Sequence, residues 1–432
     1  MKMIKRLLAL IAALALLSAA ALAETAPDDV MATINGVAIT RQTYESYLQN
    51  LSEYYAYYGY DVTSAENTAY LRYLSLSTLV QLTLMDQKIA EMGVTLTADE
   101  LAAAQEEGRS LWVQDVSNAL SYRGVTSESS EAERAAVMVQ LLADLEALGY
   151  TEESYIAESV SSALYLKLEA LMVEGATVPE GEVQYLYEQL VEEDRQRYAE
   201  DAAAYESTCQ MNAFAQMTGM TEYYQDVWYI PEGYRIMTHI LLPVDAATLE
   251  AWSELQAVYE EQQILLEEGG AITGEAVTAE EVENARLAML TSTQAQADEI
   301  ASRLAAGESF ASLTPLYTAD ESMNEEAEIA AGYPIHMDSI FCPAGYRDAA
   351  FALAQHGDVS APFVSDDGVY ILCYVSDAQG GPVALTTELH AALHAQLLEE
   401  AQAALYQQTM AAWEAEADIV YSDEALSFLP AY

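Results

Sequence analysis

His239 stands in a short apolar run, Tyr234-Arg-Ile-Met-Thr-His-Ile-Leu-Leu242, that reads as a strand. Alternation along it sets Arg235, Met237, His239 and Leu241 on one face and Ile236, Thr238, Ile240 and Leu242 on the other. A histidine among such neighbours is either a satisfied core group or an active-site one, able to donate and accept protons near neutral pH. A carboxylate follows in Tyr317-Thr-Ala-Asp320, where Asp320 either caps its own turn or faces a site. Further on come an apolar turn (Phe341, Cys342, Pro343, Tyr346) and Ser365, which precedes an Asp366-Asp367-Gly368 turn. Tyr370 then falls in the buried strand Val369-Tyr-Ile-Leu-Cys-Tyr-Val375. Other constellations are poorer. His390 and His394 have the i, i+4 spacing of metal ligands, with Glu388 ahead of them, but no third ligand is evident and no metal is expected. There is no Asp-x-Asp-x-Asp-Gly loop for calcium. Cys209, Cys342 and Cys373 are too few and too scattered for a disulfide framework, so three buried thiols are expected.

The elements that must position these residues can be read in part. Between Phe341 and the last strand, a short helix holding Ala349, Ala350, Phe351 and Leu353 is expected to stop at Gly357. The strand of His239 is followed by an acidic stretch, Asp245 to about Thr293, with a helix near 247–268 and a capping box at Thr278-Ala-Glu-Glu281. This stretch reads as a helical hairpin insertion, a solvated excursion ahead of a separate helix over 295–306. At the N-terminal end, Asn35-Gly36 between two short β-like runs is a hairpin signal. Thr40 then caps a helix with Tyr44, Tyr47, Leu48 and Leu51 on one stripe. A helix over about 68–92, apolar on most of its circumference, is expected to be buried. Thr97-Ala-Asp-Glu100 opens another, and further helices are expected over 131–148, 152–173 and 180–205. The tail carries a long helix over 387–414, with Leu389, Leu393, Leu397 and Leu405 on one stripe. A short strand, Ala417-Asp-Ile-Val-Tyr421, follows it.

The chain has 432 residues, enough for roughly two to three domains. It opens Met-Lys-Met-Ile-Lys-Arg, runs apolar from Leu7 to Leu17 and reaches Ala21-Leu22-Ala23, the pattern of a signal peptide cleaved before Glu24. No cysteine follows that site for lipid attachment, and no later stretch is long and apolar enough to span a bilayer. The signal holds three basic residues and no acidic ones, so cleavage takes the net charge from −53 to −56. A surface so acidic repels nucleic acid and anionic lipid, and excludes both as partners. It also keeps a protein that handles adhesive polypeptides in solution.

The series formed by the short helix, Gly357-Asp-Val-Ser-Ala-Pro362, the turn and the last strand resembles the C-terminal half of a parvulin-type peptidyl-prolyl isomerase domain. The strand of His239 lies about where a parvulin keeps its first histidine. The resemblance implies a catalytic set of His239, Asp320, Ser365 and Tyr370. It also implies a seat for the proline ring made by Tyr346 together with Phe341 or Cys342. Parvulins commonly carry a second histidine where this chain has Tyr370, whose hydroxyl could hydrogen-bond His239. The N-terminal order is the Asn-Gly hairpin, a helix, a long apolar helix, Val94–Leu101, Leu148–Tyr155 and Val178–Gln189. This order resembles the N-terminal region of exported foldases of the SurA and PrsA kind.

The two resemblances together imply an α+β chain: a mainly helical, discontinuous chaperone domain with a parvulin-like α/β domain inserted. The expected boundaries are a signal peptide over 1–23, a helical domain over 24–231, an isomerase domain over 232–380 and a returning tail over 381–432. They imply an exported prolyl isomerase, in the bacterial cell envelope outside the cytoplasm, that assists the folding of secreted proteins. Unfolded or partly folded exported polypeptides and their X-Pro segments are the implied partners, with no cofactor. The alternative reading is a holdase whose degenerate parvulin module only binds clients.

Overall fold

The computed structural model describes residues 29–274 and 276–429, so the expected signal peptide lies outside the described residues. The described residues form two compact units, one of residues 29–182 with 391–429 and one of residues 183–274 with 276–390.

In the first unit, β1 (Val30–Ile34) and β2 (Val37–Thr40) form the expected hairpin, with Asn35 at φ 50° and Gly36 at φ 83° in its turn. Thr40 caps α1 (Arg41–Tyr57), and Ser64 caps α2 (Ala65–Met92), which begins three residues earlier than expected. Tyr44, Tyr47 and Leu51 of α1 pack with Leu76, Leu79, Val80 and Leu84 of α2 against Met31 and Ile34. The capping box at Thr97 opens α3 (Ala98–Tyr122), and α4 (Glu131–Ala147) and α5 (Glu152–Val173) complete this stretch.

The second unit begins with α6 (Glu182–Tyr198) and α7 (Ala202–Thr218). The single helix expected over 180–205 is thus two, because the Asp201 carboxylate accepts the Ala204 amide at 2.9 Å and starts a new helix. These helices pack within this unit. The Asp194 carboxylate accepts the Trp228 amide (2.6 Å), Tyr187 donates to the Val383 carbonyl (2.7 Å), and Tyr205 lies edge-on to Tyr234. The two compact units divide at 182/183 and 390/391, so α6 and α7 lie in the second.

After β3 (Tyr229–Ile230) comes β4 (Arg235–Leu242), then α8 (Ala246–Glu267), α9 (Ala279–Ala305), α10 (Phe310–Tyr317) and α11 (Glu326–Ala331). The rest of the unit is β5 (Tyr333–Ile335), α12 (Tyr346–Ala352), β6 (Phe363–Ser365), β7 (Gly368–Asp377) and β8 (Gly381–Pro382). An antiparallel sheet runs β5-β4-β7-β6. As alternation requires, its two faces differ. Ile240, Leu242, Val369 and Ile371 pack on Met289, Ile300, Phe310 and Leu313, whereas Met237, Tyr370, Leu372 and Tyr374 pack on Tyr346 and Ala350 of α12.

Two expectations are corrected here. The hairpin 245–293 is not a solvated excursion: Trp252 and Met289 are buried against the sheet, and its second arm continues without a break through Ala305 as α9. The short helix α12 ends at Ala352 rather than Gly357. Its last carbonyls are taken by Arg235, which donates to Ala350 and Leu353 (both 3.0 Å), and Asp358 accepts the amides of Ala354 and Gln355.

The tail then returns. Most of α13 (Thr387–Glu416), then β9 (Ile419–Tyr421) and α14 (Asp423–Leu426), belong to the first unit. There β9 pairs antiparallel with β1 (Ala32 opposite Tyr421, Ile34 opposite Ile419), and Met410 is buried with Met85, Leu168 and Met172. The first unit is therefore discontinuous, and the second is inserted in it.

Candidate active site

His239 is at the middle of β4, on the face covered by α12, and is 4% exposed. Both ring nitrogens are engaged. Nε2 lies 2.8 Å from Asp320 Oδ2 and Nδ1 lies 3.2 Å from the Tyr346 hydroxyl. Asp320 itself ends the loop after α10 and heads a short 3₁₀ turn (Glu321–Met323). Its Oδ1 accepts both the amide and the hydroxyl of Ser322, at 2.9 and 2.6 Å. Asp320 thus caps its turn with one oxygen and holds His239 with the other.

The charges follow from this geometry. Burial pushes the His239 pKa below 6.5, and the hydrogen bond and charge of Asp320 only partly oppose that. For Asp320, burial raises the pKa, but the hydrogen bonds from Ser322 and His239 outweigh it and hold the carboxyl below its ordinary value of 3.8. At neutral pH the pair is a neutral imidazole beside a carboxylate. A carboxylate can only accept, so Nε2 carries the proton and Nδ1 accepts the Tyr346 O–H. Burial raises the Tyr346 pKa as well, which keeps this hydroxyl a donor.

Aromatic rings enclose the imidazole. Tyr333 stacks on it (centroids 5.3 Å, 20° between planes), Tyr370 meets it edge-on at 5.1 Å and Tyr346 at 5.7 Å. Phe363 in turn stacks on Tyr370 at 5.9 Å. Tyr333 is brought there by the close approach of β5 to β4 at Gly332, which has φ 60°. A Cβ at that position would stand 2.7 Å from the Met237 carbonyl oxygen, so only glycine fits.

Of the residues singled out in the sequence, His239, Asp320, Tyr346 and Tyr370 come together, but two of them act otherwise than expected. The Tyr370 hydroxyl bonds Asp367 Oδ2 (3.3 Å) and not His239, because its strand position points the ring at the imidazole and carries the hydroxyl past it. Tyr346 is 3% exposed and spends its hydroxyl on His239, so it shapes the site from beneath and does not present a ring for proline. Phe341 and Cys342 make no hydrogen bond or ring contact with His239. Phe341 is 51% exposed, and Cys342 is half-buried against the α12 cluster with its thiol pKa raised by burial. Ser365 is buried at the end of β6, and its hydroxyl has no hydrogen-bond partner among the described residues. Cys209 is half-buried like Cys342, so of the three free thiols expected to be buried only Cys373 is.

Tyr333, Ser322 and Phe363 are not among the residues the sequence singles out. The Ser322 hydroxyl lies 2.7 Å from that of Tyr333, which extends the network to Tyr333-Ser322-Asp320-His239-Tyr346. Tyr333 is 40% exposed, the Asp320 side chain 24%, and Ser322 is exposed as well, so these three form the accessible edge of a site whose centre is closed. The available signal for Tyr333 was Gly332, with Tyr333 and Ile335 alternating after it. Among the described residues no group of three or more His, Cys, Asp or Glu side chains could hold a metal ion.

Two family models match the chain, a SurA-like N-terminal domain over residues 2–116 and a PPIC-type PPIASE domain over residues 278–376. The second match begins at the head of α9 and leaves β4, with His239, on the other side of α8. No curated protein matches the chain. Among solved structures, one from the work on PEB4 and Cj1289, SurA-like chaperones of Campylobacter jejuni, is 13% identical. It covers 72% of this chain and 95% of that one, with a TM-score of 0.28. PrsA from Bacillus subtilis is 14% identical over 94% of this chain and all of its own, with a TM-score of 0.22. PrsA from Bacillus anthracis is 13% identical over 79% and 96%, with a TM-score of 0.20.

Proposed function

We propose, from the premise that this chain joins a SurA-like N-terminal domain to a PPIC-type peptidyl-prolyl isomerase domain, that the His239–Asp320 pair is its isomerase centre. A chain so composed is a peptidyl-prolyl cis-trans isomerase and folding chaperone. Its clients would be unfolded or partly folded exported polypeptides and its reacting bonds X-Pro. The apolar segment and Ala21-Leu22-Ala23 support export by a cleaved signal, and among the described residues no helix is long and apolar enough to cross a membrane.

The reaction breaks no bond. It rotates an amide whose barrier is about 18–20 kcal/mol and which, uncatalysed, takes tens to hundreds of seconds. In the twisted transition state the C–N bond loses its double-bond character, and the nitrogen lone pair is free to accept a hydrogen bond. The amide is also less polar there, so dry surroundings favour it over the planar ground state. Both features support the reading. The aromatic wall of Tyr333, Tyr346, Tyr370 and Phe363 excludes water, and the Asp320–Ser322–Tyr333 edge carries hydroxyls whose protons, spent on Asp320 and Ser322 in the free protein, would turn to the amide nitrogen of a bound peptide. His239 would act by fixing the Asp320 carboxylate and the Tyr346 hydroxyl in place. Phe341, exposed on its loop, would meet the client, and Cys342 and Ser365 would serve as walls of the pocket.

The observation that carries this reading is the engagement of both His239 nitrogens, which fixes one tautomer inside an aromatic cage. The test is a prolyl-peptide isomerisation assay on the chain beginning at Glu24. His239→Ala should slow catalysis on the order of tenfold to a hundredfold, about 1.4–2.7 kcal/mol of barrier. Equal rates for the two proteins would remove His239 from the mechanism.

A further inference from the structure

Glu206 lies in the second turn of α7, outside the stretch matched as an isomerase domain. Its carboxylate is taken up entirely by the active-site side of the fold. Oε1 accepts the Ser339 hydroxyl and the Tyr234 hydroxyl (3.2 Å), and Oε2 accepts the Ile340 amide (3.0 Å). Ser339 is buried, and its hydroxyl also accepts the His336 amide at 2.8 Å. One carboxylate therefore ties down the centre of the loop 336–345.

That loop is the only covalent link between β5 and α12, and each end carries a contact of His239. Tyr333, stacked on the imidazole, stands three residues before the loop, and Tyr346, bonded to Nδ1, begins α12 immediately after it. Phe341 follows Ile340 directly and stands exposed. Loop and helix start together line a cavity of about 290 Å³ through Ser339, Ile340, Cys342, Pro343, Gly345 and Arg347. Loops that carry binding residues need a rigid support, because a small misplacement costs affinity or rate. Here the support comes from a helix that precedes the isomerase sheet.

We infer that Glu206 is a positioning residue for substrate binding: by clamping Ser339 and Ile340 it holds the loop of Phe341 in the conformation that receives the peptide. The inference rests on the isomerase reading of the His239 site. A purely structural Glu206 would support the whole unit, whereas a positioning Glu206 acts on the loop.

The chain beginning at Glu24 is compared with its Glu206→Ala, Glu206→Gln and Ser339→Ala variants. The three readouts are prolyl-peptide isomerisation, amide hydrogen exchange and thermal unfolding. Glu206→Ala should raise KM about five- to twentyfold with kcat within threefold, and exchange should quicken at 336–345 while β4 and β7 keep their protection. Glu206→Gln should be intermediate, since its amide oxygen can accept on one side while its NH2 meets a donor on the other. Ser339→Ala should give a smaller KM rise of the same kind. An unchanged KM overturns the inference, and so does loss of protection throughout the sheet with kcat and melting temperature falling together. If the wild type does not isomerise, the isomerase reading fails by itself. Exchange then decides: quickening confined to 336–345 keeps Glu206 as the anchor of the loop, and unchanged exchange there overturns it.

Discussion

Replacing Asp320 by Asn probes the site most sharply, because the structure dictates what the new side chain must do. Asp320 Oδ1 accepts two donors from Ser322, and Oδ2 accepts Nε2–H of His239 at 2.8 Å. Asn has one oxygen. The two Ser322 donors claim it, which turns the NH2 toward Nε2, and two donors cannot face each other. His239 must then move its proton to Nδ1 and donate to the Tyr346 hydroxyl, which stands at 3.2 Å and can reverse its role. The exchange replaces a hydrogen bond to a charged acceptor, worth about 1.5–3 kcal/mol, by a neutral one worth about 0.5–1.5. A loss of about 1–1.5 kcal/mol felt in the transition state slows isomerisation roughly five- to thirteenfold. The pH dependence should move too. Asp320 is what opposes burial in holding up the His239 pKa, so its charge loss lowers that pKa further. Any acid limb of the rate should then shift to lower pH. Isomerisation rates across pH, with imidazole nitrogen chemical shifts to report the tautomer, measure both effects. A rate within twofold of wild type, or an Nε2–H tautomer retained in the variant, would refute the reasoning.

Three further outcomes are expected. Trp252→Ala should destabilise the second unit by about 3–5 kcal/mol, and deletion of 246–280 should unfold it, because the hairpin contributes Trp252 to the sheet core; a urea-midpoint change worth under 1 kcal/mol would return the hairpin to the status of an excursion. His239 has a folded pKa below its ordinary 6.5, so between those two values the unfolded chain binds more protons. Stability should therefore be complete above about pH 6.5 and fall as pH drops through the His239 pKa, with a second loss below pH 3.8 as Asp320 protonates; thermal melts of the wild type and His239→Gln across pH 4–8 should show the first loss only in the wild type. Truncation after His390 removes β9 from β1 and Met410 from its cluster, so the shortened chain should lose helix content or aggregate; unchanged thermal unfolding would contradict the discontinuous first unit.

Much of this architecture was determined by local sequence. Period and capping decide where a helix begins, and the Thr97 box, the Thr40 cap and the Asn35-Gly36 turn were all readable because they act over four residues. Strand alternation likewise put His239 on the face of Met237 and Leu241, and it stands there. The pattern Gly357–Pro362 with the strand after it carried the family resemblance, which in turn pointed to Asp320, Tyr346 and Tyr370.

Tertiary structure decided what each of those side chains does. No spacing reveals that Tyr346 gives its hydroxyl to His239 while that of Tyr370 passes on to Asp367, since the two rings arrive from α12 and β7 and their reach depends on packing. Nor does the acidic composition of 245–293 disclose that Trp252 and Met289 turn inward, because a helix that is mostly polar needs only a few apolar residues to dock. Gly332 and the alternation after it mark a strand at Tyr333 but not its partner, and nothing local marks Glu206. Tyr333 reaches His239 through β5–β4 register and Glu206 reaches Ser339 across more than a hundred residues, and contacts of that separation exist only once the chain has folded.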